Sequence, residues 1–281
     1  MICIGMGNEG ASAGHTAGTL EENTEERIPL AVQMKETAIN VQIWKSYHDI
    51  VDISLISPAG VQIGPIPEVI GTQRFVVGDT EILLYYGEPS PFHVSQEIFI
   101  EFLPKDSYIT PGIWQFVLTP RKIVTGEYDL WLPSENVLNR GTAFRYPTER
   151  GTLTIPSTSQ RVISVGAYDS LTFAYADFSG RGGLEGESKP DLVAPGVDIT
   201  APTPSGIYQT FTGTSFATPF VSGAAALMME WGIVRGNDPY LYGEKVKAYL
   251  RRGARPLPGF TEYPNPQVGY GALCLRDSLP E

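Results

Sequence analysis

Residues 213–229 read Gly213-Thr214-Ser215-Phe216-Ala217-Thr218-Pro219-Phe220-Val221-Ser222-Gly223-Ala224-Ala225-Ala226-Leu227-Met228-Met229. A turn of small residues places a serine at the start of a segment that consists of apolar or small residues on every side. This pattern predicts a helix that is buried in the middle of a domain, with Pro219 in its first turn. The first N–H groups of a helix have no intrahelical partner, so they would stabilise negative charge developing beside Ser215. Ser215 is therefore a candidate nucleophile, and the alternative is that Ser215 or Thr214 is an ordinary N-cap.

This string resembles the nucleophile motif of the subtilisin-like serine proteases, the subtilases. Three further segments are similar to that family and occur in its order. They are Gly7-Asn8-Glu9-Gly10 after the apolar stretch 2–6, the run 162–167 followed by Phe178-Ser179-Gly180-Arg181-Gly182, and Lys189-Pro190-Asp191-Leu192-Val193-Ala194-Pro195-Gly196. The resemblance covers residues 1 to about 16 and about 148 to 275. It implies an α/β fold, namely the C-terminal part of a subtilisin-like parallel-sheet domain.

The resemblance also implies roles for individual residues. Ser215 corresponds to the nucleophile, and Asn8 corresponds to the asparagine whose side-chain amide donates to the oxyanion. Gly213 and Thr214 would support this oxyanion site. Taken alone, Gly-Asn-Glu-Gly is better explained as a simple turn, but together with Ser215 the oxyanion role is favoured.

The middle of the chain has a different pattern, with short alternating runs separated by turn residues. Seven runs read as strands: 28–34, 38–44, 51–56, 81–86, 96–102, 112–118 and 128–132. They predict an antiparallel β-sandwich, resembling a jelly roll, inserted into the α/β domain. The predicted organisation is a first core segment 1–22, the inserted domain 23–147 and a C-terminal core 148–281. Trp44, Trp114 and Trp131 could form a sugar platform, but a core role is favoured.

Of the three histidines only His15 is a candidate for a general base, and the pattern argues against it; surface or packing roles are favoured for His48 and His93. His15 is followed by the polar acidic run 19–26, which favours a solvated loop. It also comes after Asn8, whereas the family order places the catalytic His before the Asn. His48 and His93 lie near strand ends without metal-ligand spacing. Asp191 and Asp198 are nearest to Ser215 among the carboxylates, and both are interpreted as structural loop carboxylates.

Composition limits the partners and cofactors. The net charge of −11 disfavours nucleic acid and anionic membrane surfaces. No membrane span is predicted, since Glu230 and Gly232 close the apolar run, and no secretory signal is visible. Cys3 and Cys274 are interpreted as buried free cysteines. No cofactor or metal site is predicted, because Asp169, Asp177 and Glu185 are scattered along the sequence without the spacing of a calcium loop. A cytoplasmic or spore-associated location is favoured.

The departure from the family pattern is also informative. The sequence contains neither Asp-Ser-Gly or Asp-Thr-Gly after an early strand nor His-Gly-Thr-His, the segments that carry the Asp and His of the triad. A serine needs such a base and an orienting carboxylate near neutral pH. The chain is therefore interpreted as the C-terminal portion of a serine endopeptidase acting on protein or peptide substrates. It would be inactive without a complementary N-terminal segment that carries the Asp and His.

The inserted β domain resembles that of the Csp-type subtilases of spore-forming anaerobes. This resemblance implies limited endoproteolysis of a protein precursor during spore germination. Two alternatives remain open at this point. The chain is a pseudoprotease or regulatory binding protein, or its β-sandwich is a carbohydrate-binding or protein-binding module.

Overall fold

The computed structural model describes residues 1–183 and 188–279. The chain divides into two compact units: residues 1–11 together with 149–281, and residues 12–148. We call them the nucleophile unit, after the candidate nucleophile Ser215, and the β unit. The β unit begins at Ser12, whereas the sequence analysis drew this boundary between residues 22 and 23. Glu185, one of the scattered carboxylates above, lies outside the described residues.

The elements occur along the chain in the following order. The strands up to the end of the β unit are β1 (Cys3–Gly5), β2 (His15–Thr19), β3 (Glu26–Val32), β4 (Ile39–Ser46), β5 (Ile50–Ile56), β6 (Gln62–Ile66), β7 (Gln73–Val77), β8 (Thr80–Tyr86), β9 (Ser95–Pro104), β10 (Gly112–Lys122), β11 (Glu127–Trp131) and β12 (Ala143–Phe144). They are followed by β13 (Ile163–Tyr168), β14 (Leu192–Pro195), β15 (Ile199–Pro202), β16 (Tyr208–Phe211), α1 (Thr214–Met229), α2 (Glu244–Arg252) and α3 (Leu275–Ser278).

A parallel sheet of the order β1-β13-β14 is the frame of the nucleophile unit. Cys3 pairs with Ile163, and Val165 pairs with Leu192. Every residue of β13 is buried, as expected for a central parallel strand that is covered on both faces. Helix α1 packs on this sheet through Ala217, Val221, Ala224, Ala225 and Met228.

Helix α1 is not buried on all sides, and the expectation from its sequence was wrong in this respect. Its opposite side, which includes Pro219, Gly223, Ala226 and Leu227, is exposed, with Leu227 53% exposed. Only one side meets the sheet, and the described chain places nothing against the other. The small and apolar residues on that side are therefore not buried by any contact within the described chain.

A π-helical turn, Glu230–Val234, continues α1. Residues 214–234 together are long and apolar enough, by length and composition alone, to cross a membrane, although Glu230 and Gly232 were expected to close the run. The same length and composition occur in core helices of soluble proteins. Helix α1 contacts β1, β13 and β14 on one side only.

Two further sequence expectations for the helices were tested. Pro219 lies inside α1 rather than in its first turn, so it cannot donate to the Ser215 carbonyl four residues earlier. In the sequence, Asn237-Asp238-Pro239 favours a helix start and Gly253 a helix end. Helix α2 does end at Arg252 before Gly253, but it begins at Glu244 rather than near Asn237. Tight hydrogen-bonded turns occupy the intervening residues, including Leu241 N–H to the Asp238 carbonyl.

The β unit consists of two antiparallel sheets around a shared apolar core. One sheet has the order β12-β3-β10-β5-β6, and the other has the order β2-β11-β4-β9-β8-β7. All seven predicted strands are confirmed, with ends that differ by a few residues. The strands β2, β6, β7 and β12 were missed. Trp114 is fully buried between the sheets, which confirms its core role.

Asp49 holds the β10–β11 connection in the β unit. Its carboxylate accepts hydrogen bonds from the N–H groups of Val124, Thr125 and Gly126 and from the Thr125 hydroxyl. Burial raises the pKa of Asp49, but these four bonds outweigh it, and the net effect holds its pKa below the ordinary value of 3.8.

Asp191 ties the parallel sheet of the nucleophile unit to α2. It is fully buried, and one carboxylate oxygen accepts from the Ser164 N–H at 2.6 Å and the Ser164 hydroxyl at 3.0 Å. The other oxygen accepts from Arg251 Nε at 2.7 Å and lies 3.3 Å from Lys247 Nζ. Asp191 is thus a structural carboxylate, as expected, but its buried pairing with two cations was not foreseen.

We expect Asp191→Ala to lower the free energy of unfolding of the nucleophile unit by about 3–5 kcal/mol, because two cations lose their buried partner. The matched control is Asp277→Ala, which removes the acid of an exposed pair with Arg255 and should change the free energy of unfolding far less, because solvent screens that pair. Hydrogen exchange of the β13 amides in urea measures both. Equal costs for the two variants would show that the buried cluster is not a stabilising contact.

We expect Asp49→Asn to destabilise the β unit by about 1–3 kcal/mol at neutral pH, since an amide cannot accept all four bonds. The folded pKa lies below the unfolded value, so this stability is complete above 3.8 and is lost as the pH falls through the folded pKa. The difference from the unsubstituted chain should therefore shrink below 3.8. Thermal melting followed by circular dichroism tests this, with Asp106→Asn as the control. A difference that stays constant down to strong acid would refute it.

Candidate active site

The C-terminal end of β1 and the N-terminus of α1 come together in the nucleophile unit. A Cβ atom on Gly5 would lie 3.0 Å from the hydroxyls of both Thr214 and Thr218. The strand can approach the helix this closely because residue 5 has no side chain. Met6 N–H then continues the sheet by donating to the Val165 carbonyl, and the chain turns into Asn8.

Asn8 is fixed through its side-chain oxygen. Asn8 Oδ1 accepts from the Thr214 backbone N–H at 3.0 Å and from the Thr214 hydroxyl at 3.1 Å. A backbone N–H can only donate, so the atom facing it must be the carbonyl oxygen of the amide. The Nδ2 group of Asn8 is therefore left to donate elsewhere. It faces Gly213, where a Cβ atom would lie 3.3 Å from Nδ2.

Ser215 is the second residue of α1 and is exposed. Gly213 precedes the helix with a φ of 152° and donates its N–H to the Gly196 carbonyl at 2.8 Å. The first turn contains no acidic side chain. In that turn the Thr214 N–H is bonded to Asn8 Oδ1 and the Phe216 N–H to the Gly213 carbonyl, so the Ser215 N–H and the helix dipole present positive potential beside the Ser215 hydroxyl. An oxygen carrying negative charge would be stabilised there by the Ser215 N–H, with Asn8 Nδ2 as a candidate second donor.

An aromatic pair beside the serine was not foreseen in the sequence. Phe216 follows Ser215 directly, and its ring stacks on Phe211 with centroids 4.9 Å apart. Phe211 ends β16, which pairs with β15 in a hairpin. The alternation of residue types within 199–211 was the sequence pattern that could have predicted this hairpin.

The histidines of the chain all belong to the β unit. There, His15 is buried in β2, its Nε2 lies 2.8 Å from Asp129 Oδ1, and its ring stacks on Trp131 at 4.5 Å. His15 is therefore part of a strand rather than of the expected solvated loop. The nucleophile unit contains no histidine in its sequence and so supplies no imidazole base for Ser215.

Asp169, one of the carboxylates considered from the sequence, is hydrogen-bonded within its own turn. The Asp169 carboxylate accepts from the Leu171 N–H and the Thr172 hydroxyl, and these bonds hold its pKa below the ordinary value. Among residues 1–183 and 188–279, no three His, Cys, Asp or Glu side chains are grouped as metal ligands. Cys3 and Cys274 are free and half-buried, and burial raises the pKa of the Cys3 thiol.

Comparisons with known proteins agree with this geometry. Residues 146–271 match the Peptidase_S8 family, described as the subtilase family. The chain is 39% identical to the CspB protease of Clostridium perfringens in its solved structure. This match has a TM-score of 0.91 and covers 99% of this chain and 58% of that chain.

Two curated proteins from Bacillus subtilis match shorter stretches. Serine protease AprX is 34% identical over 150 residues, which are 46% of this chain and 32% of AprX. Subtilisin E is 42% identical over 78 residues, which are 28% of this chain and 19% of subtilisin E. The chain thus spans a third or less of the length of these curated relatives.

The matches and the local structure agree on one family. The parallel sheet with α1 is a subtilase-like fold, and the antiparallel sheets of the β unit accompany it. The matched residues 146–271 thus form a subtilase-family domain, and the chain as a whole is similar to the CspB protease.

Proposed function

We propose that Ser215 is the nucleophile and Asn8 the oxyanion donor of a serine endopeptidase. The observation that carries this proposal is the pair of bonds from Thr214 to Asn8 Oδ1, which leaves Asn8 Nδ2 as a donor at the start of α1. Gly213 supports the site by allowing Nδ2 to approach, since its Cβ position is only 3.3 Å away. Thr214 supports it by fixing the amide.

The proposed reaction proceeds through an acyl-enzyme. Ser215 Oγ attacks the carbonyl carbon of the scissile peptide and transfers its proton to a histidine. The resulting oxyanion accepts hydrogen bonds from Asn8 Nδ2 and the Ser215 N–H, which has no intrahelical acceptor. The histidine then protonates the leaving amine as the C–N bond breaks. Water hydrolyses the acyl-enzyme by the same path and restores the Ser215 hydroxyl.

The triad Asp and His are proposed to come from a segment outside these 281 residues. The nucleophile unit has no histidine, and serine chemistry near neutral pH requires a base. The chain also covers only 58% of the CspB protease. The remainder of that relative is therefore long enough to contain the Asp and the His. The chain alone is accordingly proposed to be inactive.

Two unpartnered surfaces are the proposed docking site for that segment. Strand β1 is at the edge of its sheet and pairs only with β13 in the described residues, which leaves its other edge for an added strand. Met1 and Ile2 beside it are 51% and 58% exposed. The exposed side of α1, with Gly223 and Ala226, allows the close backbone approach that a packed layer needs.

The biological setting is proposed from the resemblance to Csp-type subtilases. The substrate would be a protein precursor that is cleaved during spore germination. The β unit would be an inserted domain of the jelly-roll type. Its consecutive strands β3, β4 and β5, and likewise β9, β10 and β11, alternate between the two sheets, which is typical of such folds.

A pseudoprotease is the second candidate, and the absence of histidine from the nucleophile unit is the observation in its favour. In that case the same fold would present a cleft and the β unit as interaction surfaces. The two proposals differ in whether Ser215 becomes reactive when the missing segment is present.

We expect Ser215 to react with a fluorophosphonate only after co-expression with the part of the C. perfringens CspB protease that this chain does not match. Labelling should be absent in the chain alone and in Ser215→Ala. The matched control, Ser205→Ala, removes an exposed hydroxyl in the β15–β16 turn and should label normally. Peptide mapping by mass spectrometry locates the label.

Hydrogen exchange of the β1 amides in the same samples shows whether the added segment has docked. Protection of β1 without any labelling of Ser215 would favour the pseudoprotease. Labelling that persists in Ser215→Ala would overturn the assignment of the nucleophile.

A further inference from the structure

A small open cleft lies on the outer face of the six-stranded sheet in the β unit. Its volume is about 150 Å³, and its lining includes Trp44, Ser46, Val94, Ser95, Glu127 and Asp129. Pockets for small-molecule ligands usually have about 300–1,000 Å³. The cleft is therefore of a size for one side chain of a larger partner.

The register of the strands explains why these side chains converge. Trp44 on β4 is directly opposite Asp129 on β11 and directly opposite Glu97 on β9. Residues directly opposite each other project from the same face, with Cβ atoms about 4.5–5.5 Å apart. The half-buried indole of Trp44 thus has Asp129 on one side and Glu97 on the other, and Glu127 comes two residues before Asp129 on the same face. The His93 imidazole also contacts this indole, with ring centroids 5.8 Å apart.

One carboxylate of the cleft, Glu127, forms no ion pair within the described chain, and neither does Glu97 beside the cleft. The other cleft carboxylate, Asp129, lies 2.8 Å from the His15 imidazole and keeps its second oxygen for a further donor. Lys45 also borders the cleft, but its ammonium donates inward to the Ser46 and Asp49 carbonyls and is almost fully buried. Burial lowers the pKa of Lys45. The cleft therefore presents negative charge around an aromatic face.

The net charge of the whole β unit also favours a cationic partner. Residues 12–148 contain 17 acidic and nine basic side chains, a net charge of −8. Such a field draws cationic groups toward the unit and repels anionic ones. Among cations, a guanidinium both stacks on an indole and pairs with carboxylates through two hydrogen bonds.

The rim of the cleft resembles a protein-binding surface. Val94 is 65% exposed and Phe92, in the same turn, is 92% exposed. Val124, next to the lining residue Thr125, is also exposed. A central charged anchor surrounded by apolar contacts that exclude water is the arrangement of interface hot spots.

We propose that this cleft binds an arginine side chain of a partner polypeptide, with Trp44 as the stacking surface and Glu127 and Asp129 as acceptors. The exposed Phe92 and Val94 contact the residues that flank the arginine. Binding at this cleft is independent of Ser215 and of the segment that completes its site.

The full chain is titrated with acetyl-Ala-Arg-Ala-amide and with the same peptide containing citrulline, which has the shape of arginine without its charge. Tryptophan fluorescence and calorimetry report binding. The arginine peptide should saturate and bind about tenfold more tightly than the citrulline peptide. Trp44→Ala and Glu127→Gln should each weaken its binding about two- to fivefold.

Glu101→Gln is the matched control, since Glu101 lies on the same sheet but does not line the cleft. This variant should bind the arginine peptide as tightly as the unsubstituted chain does. Circular dichroism shows whether each variant folds. Glu127 is exposed, so Glu127→Gln should fold and still tests the cleft if Trp44→Ala does not fold. Equal binding of the two peptides, absence of saturation, or equal losses in Glu101→Gln and Glu127→Gln would overturn the proposal. Preferential binding of N-acetylglucosamine oligomers would overturn it in favour of a sugar site.

Discussion

The bonds from Thr214 to Asn8 join residues that are 206 positions apart in the chain. They require the end of β1 to lie against the start of α1, and the rest of the nucleophile unit meets that requirement. Gly5 lets the strand reach the helix, β13 holds β1 in the sheet, and Asp191 fastens the sheet to α2. The order of the site therefore depends on a frame of buried contacts rather than on the loop that carries Asn8.

The same frame explains why the chain has exposed apolar surface. The sheet has three strands, and α1 covers it with one side only. Its other side is made of small and apolar residues that a monomeric protein would normally bury. A segment that covers β1 and this side of α1 would complete a layered α/β domain and bring a base to Ser215, so a single docking event would serve both stability and chemistry.

Much of the fold could be predicted from local patterns. Alternating residues located seven strands of the β unit, and Gly253 marked the end of α2. Strand β2 was missed because His-Thr-Ala-Gly-Thr does not alternate between apolar and polar residues. The motif led to Asn8 and Ser215 as candidates, but the bond to Thr214, the Asp191 cluster and the row of Asp129, Trp44 and Glu97 join distant residues. Such contacts depend on the completed fold, which local patterns do not contain.

The most direct test of the account is the rate of peptide hydrolysis by the completed enzyme with Asn8→Ala. If Asn8 Nδ2 donates to the oxyanion, kcat should fall by about 10²–10³, the loss known for the corresponding donor of subtilisin, while KM changes little. Thr214 and the fold of β1 should remain intact by hydrogen exchange. A kcat within about threefold of the unsubstituted enzyme would contradict the account, because removal of one oxyanion donor costs far more than that.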